Sequence, residues 1–446
     1  MHESTILLEN LQSMWWIAAA AVLAPVLALA TRRIIPDVVW LLVLGIVIGP
    51  NMLGLAHATE AVDFLRELGL GFLFLLAGFE VNTSDMRSRA GRSTASTWLL
   101  CMGLGVGAGL AITGGDWQVA AVLGIAATST ALGTLLPILK DSGVLGAPLG
   151  RATMTHGAYG ELLPVIAMSL LLTTRATVQA AAVLVLFAVL AVVVVAVPAR
   201  IFRRVPLLGR AFAAASDSTM QTIVRITVWV MISLMLLTAV LELDVALGAF
   251  AAGLLLHAAL RGVAPQHVEE IMHKVEVMGF GLLIPVFFLT SGMSIDVVAV
   301  LDAWPLLLGF VAMIAAVRGL PVIARELWTS TGSGLETRRE KVALGLYAAT
   351  GLPIIVAVTQ IASTSGLISV TTASVMVTGG AHGARVPAAG RAPHTPRRAE
   401  RLTAQVRGCA EVTARSSAAR ESSRKLGGNG GSPNSARSGS GTALQS

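Results

Sequence analysis

Charge is scarce in this chain. Asp, Glu, Lys and Arg make up 13% of its 446 residues, about half the share found in a soluble globular domain. A soluble domain of this size is excluded. Apolar residues are spread over most of the length, at 55%, so a soluble enzyme on a single anchor is excluded too. Cysteine is also rare: Cys101 and Cys409 support neither a disulfide framework nor a metal cluster. From Met1 to Ser13 there are His2, Glu3 and Glu9 but no Lys or Arg, so the basic start of a cleaved signal peptide is missing. No Cys/His cluster and no Ser–His–acid pattern at loop ends argues for an enzyme, and nothing calls for a cofactor.

What is present is a series of apolar runs. Thirteen candidate membrane segments lie near 14–30, 37–54, 61–80, 93–113, 117–139, 150–173, 177–199, 219–241, 245–260, 275–294, 303–324, 341–362 and 366–380. Runs of about 20 apolar residues predict an all-α polytopic membrane protein. With the N-terminus outside, seventeen Lys and Arg fall in the inner loops and only Arg175 in the outer ones. That asymmetry predicts an N-terminus outside and a C-terminus in the cytoplasm.

The net charge of +7 belongs to the end of the chain. Residues 381–446 hold ten Arg and one Lys against Glu400, Glu411 and Glu421, while residues 1–380 sum to −1. The high basicity is therefore no sign that the membrane part binds nucleic acid. Ala, Arg, Gly, Ser and Pro supply 45 of the last 66 residues, which predicts a disordered basic tail after a transmembrane domain at 1–380. The thirteenth segment offers only about 15 residues, short of the roughly 20 needed to span. A shifted reading frame past Thr378 would give such a tail. Neither Gly427–Gly431 nor Gly103-Leu-Gly-Val-Gly-Ala108 reads as a nucleotide loop: each lacks a preceding strand, and the second lies inside an apolar run where small residues serve helix packing.

An internal echo points to a site. The fifth segment contains Gly-Ile-Ala-Ala-Thr-Ser-Thr (124–130) and the twelfth Gly-Leu-Tyr-Ala-Ala-Thr-Gly-Leu-Pro (345–353). Helix-breaking residues at matched places in two halves mark sites built from broken helices in transporters with inverted repeats, although one shared triplet is also open to coincidence. Glu161 lies inside the sixth segment, in Gly157-Ala-Tyr159-Gly160-Glu161. An ionisable side chain in hydrocarbon needs a partner or a function: it binds a cation or a proton, or it pairs with a basic residue. Thr128, Ser129 and Thr130 offer hydroxyls for a monovalent cation, or bond back to their own helix. Arg318, in the eleventh segment, either partners the carboxylate, balances a half-helix dipole or snorkels to the inner surface. His156 and Tyr159 stand nearby as accessory candidates. His156 precedes Glu161 by five residues and so sits on another face of the helix, which rules out a metal pair.

Several blocks resemble one family. Ile35-Pro-Asp-Val with Leu44-Gly-Ile-Val-Ile-Gly-Pro50, Leu68 to Glu80, Leu247-Gly-Ala-Phe-Ala-Ala-Gly253 and Pro285 to Asp296 are similar to bacterial monovalent cation:proton antiporters of the sodium/hydrogen exchanger family. The resemblance runs from about Trp15 to Thr378. It implies a dimerisation domain, a mobile core with two crossed broken helices, a homodimer in the bacterial inner membrane, and exchange of Na+ or K+ for protons by alternating access. The family carries Asn-Asp or Asp-Asp in the sixth segment. Here Gly160-Glu161 stands there, so Glu161 fits the ion-binding position and the first position has no side chain. Arg318 matches the family's basic residue near the site. Another solute:proton transporter on the same fold, a channel, and a non-transporting scaffold or sensor are the competing readings.

Overall fold

A computed structural model describes residues 2–31, 35–81, 86, 88–132, 135, 139, 143–171, 177–204, 216–263 and 268–383. All regular structure among the described residues is helical. The expected basic tail lies outside them apart from its first three residues.

The first half of the chain runs through α1 (His2–Ala30), α2 (Asp37–Ile48), α3 (Glu60–Glu80), α4 (Arg89–Thr113), α5 (Trp117–Thr128), α6 (Pro148–Leu171) and α7 (Thr177–Arg204). The second half has α8 (Ser216–Val240), α9 (Val245–Val263), α10 (Val268–Met293), the short α11 (Val297–Asp302), α12 (Trp304–Trp328), α13 (Arg338–Ala348), α14 (Leu352–Thr364) and α15 (Val370–Gly383). Each of the thirteen apolar runs carries helix. Five helical spans are long and apolar enough to cross a membrane by length and composition: residues 6–30 of α1, α4, α10, α12 and the α13–α14 pair. Bulky side chains such as Val22, Val185, Trp229 and Leu236 are exposed, which suits contact with lipid tails.

Local chemistry sets the boundaries. The Thr59 hydroxyl caps α3 by accepting from Val62 N, and the Asp116 carboxylate caps α5 by accepting from Gln118 N and Val119 N. Such caps satisfy N–H groups that the helix itself leaves unpaired. Thr337 and Glu340 form a reciprocal capping box at the start of α13. α10 and α12 each contain one π-helical turn, at Gly279–Leu283 and Ala315–Gly319. The second carries Arg318.

The helices pack in two groups. One contains α1, α2, α3, α8, α9 and α10, and the other α4, α5, α6 and α12 to α15. Glycine lets backbones meet in the first group: a Cβ on Gly45 would strike Leu289 O, and one on Gly253 would strike Leu75 O. Small residues at such seams are how membrane helices approach closely. α6 reaches across to α3, α7 and α9, so the helix that carries Glu161 also borders the other group. A small separate core of Ala152, Val322, Leu335, Leu344 and Ala348 joins α6, α12 and α13.

Candidate functional site

The two broken stretches meet. α5 ends at Thr128, and Ser129 and Thr130 are extended or irregular. α13 ends at Ala348, and Ala349 to Gly351 separate it from α14, whose second residue is Pro353. Proline supplies no amide donor, so it suits the start of a helix. Ala131 N donates to Thr350 O at 2.7 Å. Ser129 Oγ donates to Ala126 O at 2.8 Å and to Gly351 O at 3.3 Å. The approach is close enough that a Cβ on Gly351 would collide with Ser129 Oγ. The echo in the sequence therefore corresponds to a physical crossing, in which backbone groups freed from each helix are satisfied by the other.

α6 runs alongside this crossing. Thr130 N donates to Gly160 O at 2.9 Å, and Leu132 N donates to Glu161 Oε1 at 2.6 Å. Glu161 is 4% exposed. A backbone N–H on a buried carboxylate is a charge-assisted bond when the acid is ionised, shorter and stronger than a neutral one. It holds the carboxylate against the chain leaving the first break.

Arg318 is fully buried at the same place. Its Nη2 donates to Thr130 Oγ1 at 3.0 Å and to His156 O at 3.2 Å, and its Nε donates to Ala348 O at 3.3 Å. Thr130 Oγ1 itself donates to Ala348 O at 2.5 Å. One guanidinium thus ties the first break, the end of α13 and α6 together. Ala348 O is the C-terminal end of a helix, where partial negative charge favours a cation. The snorkelling alternative for Arg318 does not describe this geometry.

The remaining sequence candidates divide. Thr128 Oγ1 donates to Gly124 O at 2.8 Å, back into its own helix. His156 is buried and contributes its carbonyl to Arg318. Tyr159 Oη donates to Met86 O at 2.9 Å, so the phenol ties α6 to the segment joining α3 and α4. Gly160 is where the sequence departs from the expected acid pair. A Cβ there would lie 2.5 Å from Thr130 Oγ1 and 3.1 Å from Arg318 Nη2, so those side chains fill the space a neighbouring residue would need. Sequence reasoning gave Cys101 no role beyond excluding a disulfide. It is buried on α4 and lies against the Arg318 guanidinium. No pattern in the sequence links two residues so far apart.

The assembled groups are oxygen-rich: a carboxylate, two hydroxyls and helix-end carbonyls. Hard oxygen donors suit alkali cations and protons rather than soft metals. Among the described residues, no group of three His, Cys, Asp or Glu is placed to hold a metal ion.

Known proteins resemble this chain. A family model described as "Sodium/hydrogen exchanger, transmembrane" matches residues 18–382. The glutathione-regulated potassium-efflux system protein KefC of Escherichia coli O9:H4 (strain HS) is 27% identical over 329 residues, covering 71% of this chain and 50% of that protein. The chain thus spans about half the length of these potassium-efflux relatives. The probable Na(+)/H(+) antiporter GerT of Bacillus cereus is 23% identical over 266 residues, covering 58% of this chain and 68% of that protein. The solved structure of the sodium proton antiporter MjNhaP1 from Methanocaldococcus jannaschii superposes with a TM-score of 0.61 at 19% identity, over 84% of this chain and 94% of that one. At that identity the likeness concerns the fold.

Proposed function

The chain belongs to the transmembrane sodium/hydrogen exchanger family, and from that premise we propose that it exchanges a monovalent cation, Na+ or K+, for protons through Glu161. The observation that carries the proposal is the buried Glu161 carboxylate, held by Leu132 N beside the crossing of two interrupted helices. One carboxylate holds either a proton or a cation. If the helices bearing it turn from one side of the membrane to the other only when the site is loaded, the two ions must be swapped.

In this reading the cation is bound by Glu161 with help from Ser129 and Thr130 and from the second lone pairs of carbonyls at the breaks. Thr128 braces α5 from within. Arg318 fixes the crossing and sets the electrostatics around the acid, with His156 and Tyr159 supporting the helix that presents it. The protein works as a homodimer in the bacterial inner membrane, N-terminus outside and C-terminus in the cytoplasm. Residues 1–380 form the exchanging body, and 381–446 are a basic tail. The relatives' names include both potassium efflux and sodium:proton antiport, so both cations belong in the test. Purified protein in pH-loaded liposomes is challenged with Na+, K+ and Li+, and proton flux is followed. Exchange with at least one of them is the expected result; no flux with any would overturn the proposal.

A further inference from the structure

One cleft has bonding that the exchange site does not use. Between the end of α10 and the α14–α15 connection lies a cavity of about 110 Å3. Its polar lining is Ser291 and Ser294 of the α10 terminus, Thr359, Gln360 and Ser363 of α14, and Ser374 of α15. One water needs only about 10–15 Å3 of such space, so the cleft takes several waters, or one cation that keeps part of its hydration.

The hydrogens of three of these hydroxyls are already committed. Ser291 Oγ donates to Phe287 O at 2.6 Å, Ser294 Oγ to Ser291 O at 2.8 Å, and Thr359 Oγ1 to Ile355 O at 2.8 Å. A hydroxyl has one hydrogen to donate and two lone pairs. Ser291, Ser294 and Thr359 therefore present the cleft with acceptor capacity. Gln360 adds an amide oxygen.

Most of the surrounding charge is negative. Ser291 in the last turn of α10 and Ser363 in the last turn of α14 border the cleft, at helix ends that carry partial negative charge; Thr359 and Gln360 lie a turn earlier on α14. α15 points its positive end here, but that end is partly satisfied: Thr372 N donates to Ser369 Oγ at 3.1 Å. Asp296 follows the lining residue Ile295 and is half-buried. Its N–H is tied to Ser374 Oγ at 3.3 Å and its Oδ1 accepts from Ala299 N at 3.0 Å, which fixes a carboxylate beside the cleft. An anion would face lone pairs and this carboxylate.

We propose that this cleft is a second, weaker binding site for a monovalent cation, distinct from Glu161 and placed between the two helix groups. In the orientation with the N-terminus outside, it lies on the outer side. Its role as a supply point for Glu161 rests on the exchange reading; the binding itself does not.

The test uses thallium(I) as the probe and the full chain in detergent. Unaltered protein should bind two ions of different affinity. Glu161→Gln should lose one and keep a weaker one. In the Glu161→Gln background, Gln360→Leu at a half-buried position, or Ser291→Ala with Thr359→Val, should weaken the remaining binding at least severalfold, with Thr359→Ser as the variant that retains it. Anomalous scattering from thallium in Glu161→Gln crystals should fall in the cleft, a readout that needs no cleft variant to fold. Loss of all binding in Glu161→Gln, or thallium absent from the cleft at saturation, would overturn the proposal. Proton flux in liposomes separates the two readings: exchange with a single bound ion removes the cleft site alone, and two bound ions without flux remove the antiport alone.

Discussion

Thr130 stands so close over Gly160 that a side chain on the glycine would meet Thr130 Oγ1 at 2.5 Å, with Arg318 Nη2 next at 3.1 Å. The missing member of the expected acid pair is thus a position already filled from another helix. Gly160→Ala should destabilise the protein by about 1–3 kcal/mol, the usual cost of overpacking a close-packed site. Gly160→Asp should lower the thermal midpoint as well, and should not yield a second working carboxylate. Thermal unfolding in detergent, paired with liposome flux, checks both. A Gly160→Asp protein with an unchanged midpoint and new voltage-driven exchange would show that Thr130 and Arg318 can move aside.

Arg318 is expected to matter more for holding the crossing than its position in the sequence suggests. Its Nη2 and Nε bond Thr130, His156 O and Ala348 O. Each hydrogen bond to a charged group contributes about 1.5–3 kcal/mol. Arg318→Ala should therefore lose about 3 kcal/mol or more. Arg318→Lys should recover only part of that, because an ammonium lacks the planar fork of the guanidinium. If either variant kept its unfolding midpoint and lost only exchange, Arg318 would act on the charge of Glu161 and not on the frame.

The site was partly legible for a physical reason. Broken helices need residues that interrupt the backbone ladder, and Ala-Ala-Thr with nearby proline marked both breaks. Glu161 and Arg318 stood out because charge in an apolar run demands an explanation. Contacts between distant segments leave no such trace: nothing in the sequence joins Tyr159 to Met86, Cys101 to Arg318, or Ser291 to Thr359 across one cleft. The π-helical turns at Gly279–Leu283 and Ala315–Gly319 were hidden too, because these runs are apolar on most sides and the rotation of about 100° that one extra residue makes leaves no visible break in them. α1 begins at His2, well before the apolar run at residue 14, since polar residues can extend a helix beyond the hydrocarbon.

Asp244, in the turn between α8 and α9, offers a pH signature. Burial pushes its carboxyl up to about 6, with Glu67 nearby adding to the effect, although a hydrogen bond from Ala246 N opposes the shift. The folded protein then binds this proton more tightly than the unfolded chain does. Stability contributed here is present below the ordinary carboxylate range and is lost as pH rises through about 6. Asp244→Asn keeps an oxygen for Ala246 N and removes the titration. It should be more stable than the unaltered protein above pH 7 and should flatten the change in thermal midpoint between pH 5 and pH 7 (roughly, for a single group). Parallel pH profiles of the two proteins that coincide would rule this out.

Glu161 carries the decisive prediction. With Gly160 beside it, the pair supplies one titratable group. Each loaded site then takes one proton or one monovalent cation across, and one-for-one exchange moves no net charge. Exchange should follow the pH and cation gradients and hardly respond to an imposed membrane voltage. Glu161→Gln keeps the shape but cannot ionise, so exchange should vanish while the fold persists. Glu161→Asp shortens the reach to Leu132 N, now bonded at 2.6 Å, and should retain exchange with a weaker apparent affinity, about tenfold if one such charge-assisted bond of about 1.5 kcal/mol is lost. The measurement is proton flux in liposomes with the voltage set by a permeant ion that the site does not bind. Strong voltage dependence would mean that a second charge moves, with buried His156 the first residue to substitute. Full activity in Glu161→Gln would remove the carboxylate from the mechanism.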